Sequence, residues 1–149
     1  MNNRTKLSVE SRTRTWLKVG AASLLCQRLI NNKLLELDLT FAQHFLLSSV
    51  ESLQPVTQAE LATYLYAVKS NVSSLIKKME AKGYISRETG ESDRRSNKVS
   101  LTASGKRILT KSKIIELEVM KLMTDEISAE EMETLDRVMN RVTEALLKP

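Results

Sequence analysis

Cysteine and histidine are almost missing from this chain of 149 residues, which contains one of each, Cys26 and His44. A single cysteine excludes an intrachain disulfide and a cysteine-rich zinc site. Because His44 is the only imidazole that could activate a serine or Cys26, most pairings of a nucleophile with a base are excluded as well. We therefore expect no metal, no cofactor and no enzymatic activity.

Long apolar runs are also missing. No stretch approaches the roughly 20 residues that a membrane span needs, and the start, MNNRTKLSVESRTRTW, lacks the apolar segment of a secretion signal. The chain has only four glycines and two prolines, and no linker or repeat divides it. We expect a cytoplasmic protein without membrane contact, built as one domain around one core.

Positive charge is in moderate excess, with 23 lysines and arginines against 18 acidic residues and a net charge of +5. Residues 1–54 carry 7 basic and 4 acidic side chains, residues 55–107 carry 10 and 5, and residues 108–149 carry 6 and 9. The middle of the chain is therefore basic and its end acidic. A basic middle segment favours an anionic partner, although a charge of this size also serves solubility.

Helical periodicity dominates the sequence, and one short β element interrupts it. The first predicted helix runs from about Val9 to Leu37 and is apolar on two sides, so both sides need cover. Residues that can cap later helices are Thr40, Thr57 with Glu60, Thr102, and Ser128 with Glu131. The segments YISRE and NKVSLT alternate with a period of two and predict a hairpin with the tip TGESDRRS. The expected fold class is α+β and mainly α.

A helix in VTQAELATYLYAV, a tight turn, a helix in NVSSLIKKMEAKG and a basic hairpin together predict a winged helix-turn-helix. The second helix buries Val72, Leu75, Ile76 and Met79 on one face. Its outer face, which would enter a major groove, carries Ser70, Asn71, Ser73, Ser74, Lys77 and Lys78. Hydroxyl and amide groups can bond to base edges, and lysines suit phosphates. A solvated face without a partner is the alternative for this helix taken alone.

The hairpin tip favours DNA over a merely solvated face, because it displays Arg94 and Arg95 side by side. Guanidinium groups on a thin loop fit a narrow minor groove, where the negative potential is enhanced. Asp93 can hold the loop or an arginine in position, and Lys98 completes the basic residues of the wing. Helix and wing together predict that double-stranded DNA is the partner.

The run from Leu39 to Leu109 resembles the MarR family of transcription regulators. The resemblance lies in LTFAQHFLLSSV, in VTQAELATYLYAVKSNVSSLIKKMEAKGYISRE, in the wing pattern Asp-x-Arg at Asp93 and Arg95, and in VSLTASGKRIL. It implies a homodimeric repressor on a pseudo-palindromic operator, with residues 1–38 and 108–149 for dimerisation and residues 39–107 for DNA binding. A SarA-like or architectural basic protein of low sequence specificity is the alternative.

The last predicted helix carries apolar residues at spacings of 3, 4, 3 and 4, starting at Met132. Such a seam is typical of packing against another helix at a shallow angle. We therefore expect the dimer interface to include Leu135, Met139, Val142 and Leu146.

His44 and Cys26 each have two interpretations. Many relatives have an aromatic residue at the position of His44, near the region where they bind phenolic or drug-like ligands, so His44 is a candidate contact for a small aromatic effector. A hydrogen-bonded packing residue is the alternative for His44. For Cys26, in the middle of a long helix, we expect a packing role and not peroxide sensing. Core packing is also expected for Trp16, Tyr64 and Tyr66.

Overall fold

The structure is a computed structural model that describes residues 7–88 and 98–148. Its helices are α1 (Val9–Leu34), α2 (Phe41–Leu53), α3 (Gln58–Tyr64), α4 (Lys69–Ala81), α5 (Ala103–Thr124) and α6 (Ala129–Leu147). Its strands are β1 (Val56–Thr57), β2 (Ile85–Glu88) and β3 (Lys98–Leu101). The mainly helical α+β class predicted from periodicity is confirmed.

Every predicted cap is present at the start of its helix. The Thr40 hydroxyl accepts from the Gln43 N–H at 3.3 Å, and the Gln43 side chain accepts from the Thr40 N–H at 3.0 Å. The same reciprocal box starts α3 and α6, and a hydroxyl caps α5, through Thr57 with Glu60, Ser128 with Glu131, and Thr102. These bonds satisfy N–H groups that a helix start leaves unbonded, which makes the starts predictable from short motifs.

The first helix ends earlier than predicted. It ends at Leu34, a single 3₁₀ turn occupies Leu35–Leu37, and Asp38 adopts a left-handed φ of 52°. The Lys82 ammonium donates to the Asp38 carboxylate at 2.8 Å and also to the Asp38 carbonyl, so a residue 44 positions away stabilises the turn. The prediction of a continuous helix to Leu37 is wrong. The apolar residues continue through the turn, so their pattern does not show where the helix ends.

The sheet has three antiparallel strands in the order β1, β3, β2. Strands β2 and β3 are the predicted hairpin, with Ile85 opposite Leu101. Strand β1 was not predicted, because two residues are too short to show a period. Its Val56 lies opposite Val99 and joins the segment before α3 to strand β3 of the wing. The helix-turn-helix and the hairpin therefore share one sheet.

The hydrophobic core lies between the C-terminal end of α1, α2, α4, the sheet and α5. Its fully buried residues include Leu34, Leu46, Leu47, Val50, Leu61, Val72, Ile76, Met79 and Leu109. The predicted inner face of α4 is confirmed, except that Leu75 is only half-buried. Cys26 is half-buried and packs against this core, which agrees with the packing interpretation.

Three aromatic residues that were predicted to pack in the core are exposed instead. The exposed fractions are 60% for Trp16, 50% for Tyr64 and 73% for Tyr66. Trp16 faces a groove of about 540 Å³ between α1 and α6. Tyr64 and Tyr66 lie at the end of α3, beside the last turn of α6. The core prediction is wrong for this chain because the sequence does not show which apolar faces of its helices remain uncovered.

Gly105 is predicted to be essential for the join between the wing and α5. A Cβ at Gly105 would lie 2.0 Å from the Tyr84 carbonyl oxygen, which is backbone and cannot turn aside. Overpacking usually costs about 1 to 3 kcal/mol. Gly105→Ala should therefore lower the free energy of unfolding by about this amount or more. Urea unfolding at a fixed protein concentration measures it.

Gly20→Ala is the matched control, since Gly20 lies inside α1 and a Cβ there meets nothing within 4 Å. It should stabilise the protein by up to about 1 kcal/mol through helix propensity. Equal effects of the two substitutions would contradict the close contact at Gly105.

Candidate nucleic-acid interface

Helices α3 and α4 form the predicted helix-turn-helix. The α3 helix ends in a Schellman motif, in which the Tyr66 N–H donates to the Thr63 carbonyl at 3.2 Å and the Ala67 N–H to the Ala62 carbonyl at 3.0 Å. Tyr66 takes a left-handed φ of 49° at a position where glycine is usual. The short spacing between the helices predicts a tight turn. The left-handed position itself could not be predicted, because tyrosine is not among the residues that usually mark a turn.

The outer face of α4 is available for contact. Its exposed residues are Ser70, Asn71, Ser74, Lys77 and Lys78, and Ser73 is half-buried. The opposite face holds α4 on the core through Val72, Ile76 and Met79. Because one face is anchored, the polar face projects from a rigid helix. This geometry suits the insertion of α4 into a groove of DNA.

The structure describes the two strands of the wing, β2 and β3. Asp93, Arg94 and Arg95, predicted at its tip, lie outside the described residues. Lys98 is exposed at the start of β3, opposite Thr57 in the strand that precedes α3. Lys98 also lies opposite Glu88 on β2, at the end of the strand pair that is next to the tip.

Two contacts that the sequence did not predict join the wing to the end of α4. The Arg87 guanidinium on β2 lies 3.0 Å from the Glu80 carboxylate in the last turn of α4. The Thr102 hydroxyl, at the end of β3, donates to the Gly83 carbonyl at 2.7 Å. Gly83 ends α4 with a left-handed φ of 71°, a conformation for which glycine is the usual residue. Helix and wing consequently form one unit.

The comparisons with known proteins agree with this geometry. The sequence model of the MarR family matches residues 37–96. The HTH-type transcriptional regulator SarZ of Staphylococcus aureus strain USA300 is 31% identical over 109 residues, which cover 73% of this chain and 71% of SarZ. The chain belongs to the MarR family. It is accordingly a DNA-binding transcriptional regulator.

Solved structures of MarR-family proteins share the fold along most of the chain. AbsC, a MarR family transcriptional regulator from Streptomyces coelicolor, superposes with a TM-score of 0.84 at 23% identity, covering 95% of this chain and 98% of AbsC. A mutant of MarR from E. coli, complexed with operator DNA, superposes with a TM-score of 0.80 at 22% identity, covering 91% of this chain and 99% of the MarR chain. At these identities the likeness establishes the fold alone.

The capping box of α3 places a carboxylate within the MarR-family helix-turn-helix. The Thr57 backbone N–H and hydroxyl each lie 2.8 Å from the Glu60 carboxylate. These hydrogen bonds, the backbone one foremost, hold the pKa of Glu60 below its ordinary value, and the nearby positive charge of Lys98 lowers it further. The pKa of Glu131 is lowered in the same way by Ser128 at the start of α6.

Two kinds of feature are absent from the part of the chain that the structure describes. Residues 7–88 and 98–148 contain no group of three or more His, Cys, Asp or Glu side chains arranged to hold a metal ion. Within the same residues, no helix has both the length and the apolar character of a membrane span.

His44, the candidate effector contact, is fully buried between α2 and α5. Its Nδ1 atom lies 2.9 Å from the Ser112 hydroxyl oxygen. This position matches the interpretation of His44 as a hydrogen-bonded packing residue. Contact between His44 and an effector stays a prediction.

Acidification should weaken the start of α3 through Glu60. A carboxylate whose pKa is lowered in the fold contributes stability above its ordinary pKa of 4.5, and this contribution is lost as pH falls through the lowered value. Glu60→Gln keeps an oxygen acceptor for Thr57, as Gln43 does in α2, but removes the titration. The variant should lose less stability than the wild type between about pH 7 and about pH 3, measured by thermal unfolding.

Glu131→Gln makes the same change at the start of α6 and should also flatten the acid dependence. If the stability of the wild type and of Glu60→Gln fell equally as the pH is lowered, the capping box would not couple the titration of Glu60 to folding.

Proposed function

We propose that this MarR-family protein is a repressor that binds a pseudo-palindromic operator as a homodimer. The observation that carries the proposal is a pair of surfaces on one chain. One is the exposed polar face of α4, and the other is a broad apolar surface on the terminal helices. The first suits a DNA groove, and the second suits a second copy of the chain.

Helix α4 is the proposed recognition helix. Its 13 residues give a length of about 20 Å at 1.5 Å per residue, and a helix fits the major groove of B-DNA. The residues near its start, Ser70, Asn71, Ser73 and Ser74, are short enough to reach base edges from a closely docked backbone. Lys77 and Lys78 lie further along and suit phosphates.

The wing is proposed to contact the flanking minor groove. Arg94 and Arg95 would lie in it, Asp93 would orient them, and Lys98 at the start of β3 would face a phosphate. Support comes from the contacts between the wing and the end of α4, which give helix and wing a fixed relation. The structure of mutant E. coli MarR with operator DNA, which has the same fold, adds a precedent for DNA binding by such a chain.

Dimerisation is proposed because the terminal helices leave so much apolar surface in water. Helix α6 has no buried residue, and its Leu135, Met139 and Leu146 are exposed, whereas Val142 is half-buried. Further exposed apolar residues on α1 and α5 include Trp16, Leu17, Leu24, Leu117, Met120 and Leu122. Apolar patches of this extent mark interaction sites. A two-fold pair would place two recognition helices on two half-sites of one operator.

A small aromatic or drug-like effector is proposed to release the DNA. A cavity of about 590 Å³ between the helix-turn-helix and the end of α6 suits such a ligand in volume. Its lining is mainly apolar and includes Phe45, Tyr64, Tyr66 and Leu147. A ligand there would contact both the DNA-binding helices and a terminal helix.

Substitutions on α4 should separate base readout from phosphate contact. Lys78→Ala should weaken binding to all sequences about equally and reduce the salt slope by about one unit, because one phosphate contact is lost. Asn71→Ala and Ser74→Ala should change which bases are preferred, by about 1 to 3 kcal/mol at the affected positions. Selection of bound sequences from a random pool, followed by titrations at several salt concentrations, measures both effects.

Competition with unrelated DNA tests sequence specificity itself. A regulator should keep a defined site under conditions that strip off a protein held by charge alone. Loss of all binding in this competition, or a uniform loss of affinity in all three variants, would favour the low-specificity alternative.

Charged substitutions on α6 should disrupt the dimer. Leu135→Glu combined with Val142→Glu would place two carboxylates in an apolar interface, where charge is costly to bury. We expect monomers or unfolded protein in sedimentation equilibrium and loss of operator binding. Arg137→Glu, a charge change at an exposed α6 position, should leave the dimer intact. A well-folded monomeric double variant with full operator affinity would contradict the proposal.

A further inference from the structure

A lysine at the C-terminal end of α4 contacts the junction between α1 and α2. Lys82 is the residue that ends α4, and its backbone N–H donates to the Lys78 carbonyl at 3.1 Å. Its side-chain ammonium donates to the Asp38 carboxylate at 2.8 Å and also to the Asp38 carbonyl. We call these two hydrogen bonds the Lys82–Asp38 bridge. The bridge joins the proposed recognition helix to a residue that lies 44 positions earlier in the chain.

Asp38 is itself fixed to the end of α1. The N–H of the next residue, Leu39, donates to the Leu34 carbonyl at 3.1 Å, and both leucine side chains are buried. The side-chain oxygen of Asn31 on α1 accepts from the Phe41 N–H at the start of α2 at 3.0 Å. Since the turn is bonded on both sides, Asp38 moves together with the end of α1.

The bridge restrains α4 in a way that its other contacts do not. Along its length α4 is held by the apolar side chains of Val72, Ile76 and Met79. Apolar attraction is non-directional, whereas a hydrogen bond depends on distance and direction. At the start of α4 the Lys69 carbonyl accepts from the Gln58 side chain on α3 at 3.4 Å. That bond joins α4 to its neighbour in the helix-turn-helix, and the bridge joins α4 to α1.

The exposure of the two partners favours a positional role over a stabilising one. The exposed fraction of the side chain is 28% for Lys82 and 94% for Asp38. Because water screens so exposed a carboxylate, the pair adds little to the stability of the whole protein. Two acceptors on one residue nevertheless define where the ammonium lies, and therefore the angle at which α4 meets α1.

The angle between α4 and α1 matters if the chain forms a dimer. The first half of α1 carries exposed apolar residues such as Trp16, Leu17 and Leu24, so it belongs to the surface proposed to pair the subunits. In a two-fold dimer, the separation of the two α4 helices depends on how each is held relative to that surface. The half-sites of an operator lie about 34 Å apart, or a multiple of this distance, so the separation selects a spacing.

We propose that Lys82 is a positioning residue that sets the half-site spacing accepted by the dimer. The inference rests on the proposed function, because it requires a homodimer on an operator with two half-sites. Lys82 acts through Asp38 and not by touching DNA. Without the bridge, the two α4 helices sample a wider range of separations, and the dimer discriminates less between operators of different spacing.

The separation of the two α4 helices can be measured on the free full-length protein. Ser74→Cys combined with Cys26→Ser allows one spin label on the exposed face of each α4, and double electron–electron resonance gives the distribution of distances between the labels. Lys82→Met keeps the apolar stem but removes the ammonium, so it should widen this distribution. Lys33→Met is the matched control, because it removes an exposed pair between α1 and Glu118 on α5. It should keep the distribution of the labelled protein without further substitution.

Operator binding by the unlabelled protein gives the second measurement. An operator is selected with the wild type from a random pool, and its half-sites are then moved closer or further apart by one base pair. The affinity of the wild type and of Lys33→Met should fall about tenfold or more, a loss like that caused by a wrong base pair. For Lys82→Met the loss should be about threefold smaller, the factor that an exposed ion pair contributes.

Asp38→Gly tests the bridge from its other side. It removes the carboxylate and keeps the left-handed turn, for which glycine is the usual residue. Both measurements should change in the same direction as in Lys82→Met. An unchanged distance distribution and spacing preference in Lys82→Met would overturn the inference, and so would a loss of affinity that is equal at every spacing. A wild type that gives no distance between labels, or that selects no operator, would overturn the proposed function and this inference with it.

Discussion

The close approach of the Tyr84 backbone to Gly105 is the contact on which the DNA-binding part of this protein depends. The Tyr84 N–H closes the end of α4 by donating to the Met79 carbonyl at 2.9 Å, and the Tyr84 carbonyl accepts from the Thr102 N–H at 3.1 Å. Thr102 then caps α5 by accepting from the Gly105 N–H. One backbone unit therefore joins the end of α4, strand β3 of the wing and the start of α5, and only a residue without a side chain fits beside it.

Helix α5 carries this arrangement to the rest of the molecule. It begins at the wing, passes the buried side of α2 at Ser112 and Glu116, and reaches α1 at Glu118. The polar contacts along it include a lysine–glutamate pair with α1, a lysine–glutamate pair with α2 and the contact with the buried histidine of α2. Polar contacts of this kind depend on distance and direction more strongly than apolar packing does. A change in the register of α5 would therefore disturb these contacts with α1 and α2.

Charge and exposed apolar surface lie on different parts of the protein. The exposed side of α4 and the strands of the wing are polar or basic, whereas α6 and the first half of α1 present exposed apolar residues. An isolated chain would keep that apolar surface in water at a cost of roughly 25 cal/mol per Å². The excess of acidic residues after position 107 also distinguishes the terminal region from the basic middle of the chain.

The sequence alone determined the elements whose causes are local. Capping boxes such as Thr57 with Glu60, the left-handed Gly83 and the buried face of α4 each depend on residues a few positions apart, so a short pattern is enough to predict them. Tertiary structure decided what depends on distant partners. The end of α1 requires Lys82, strand β1 requires β3, and the burial of His44 requires Ser112 on α5. The exposure of Tyr66 belongs to the same group, because a pattern shows that a side chain is apolar or aromatic and not whether another element will cover it.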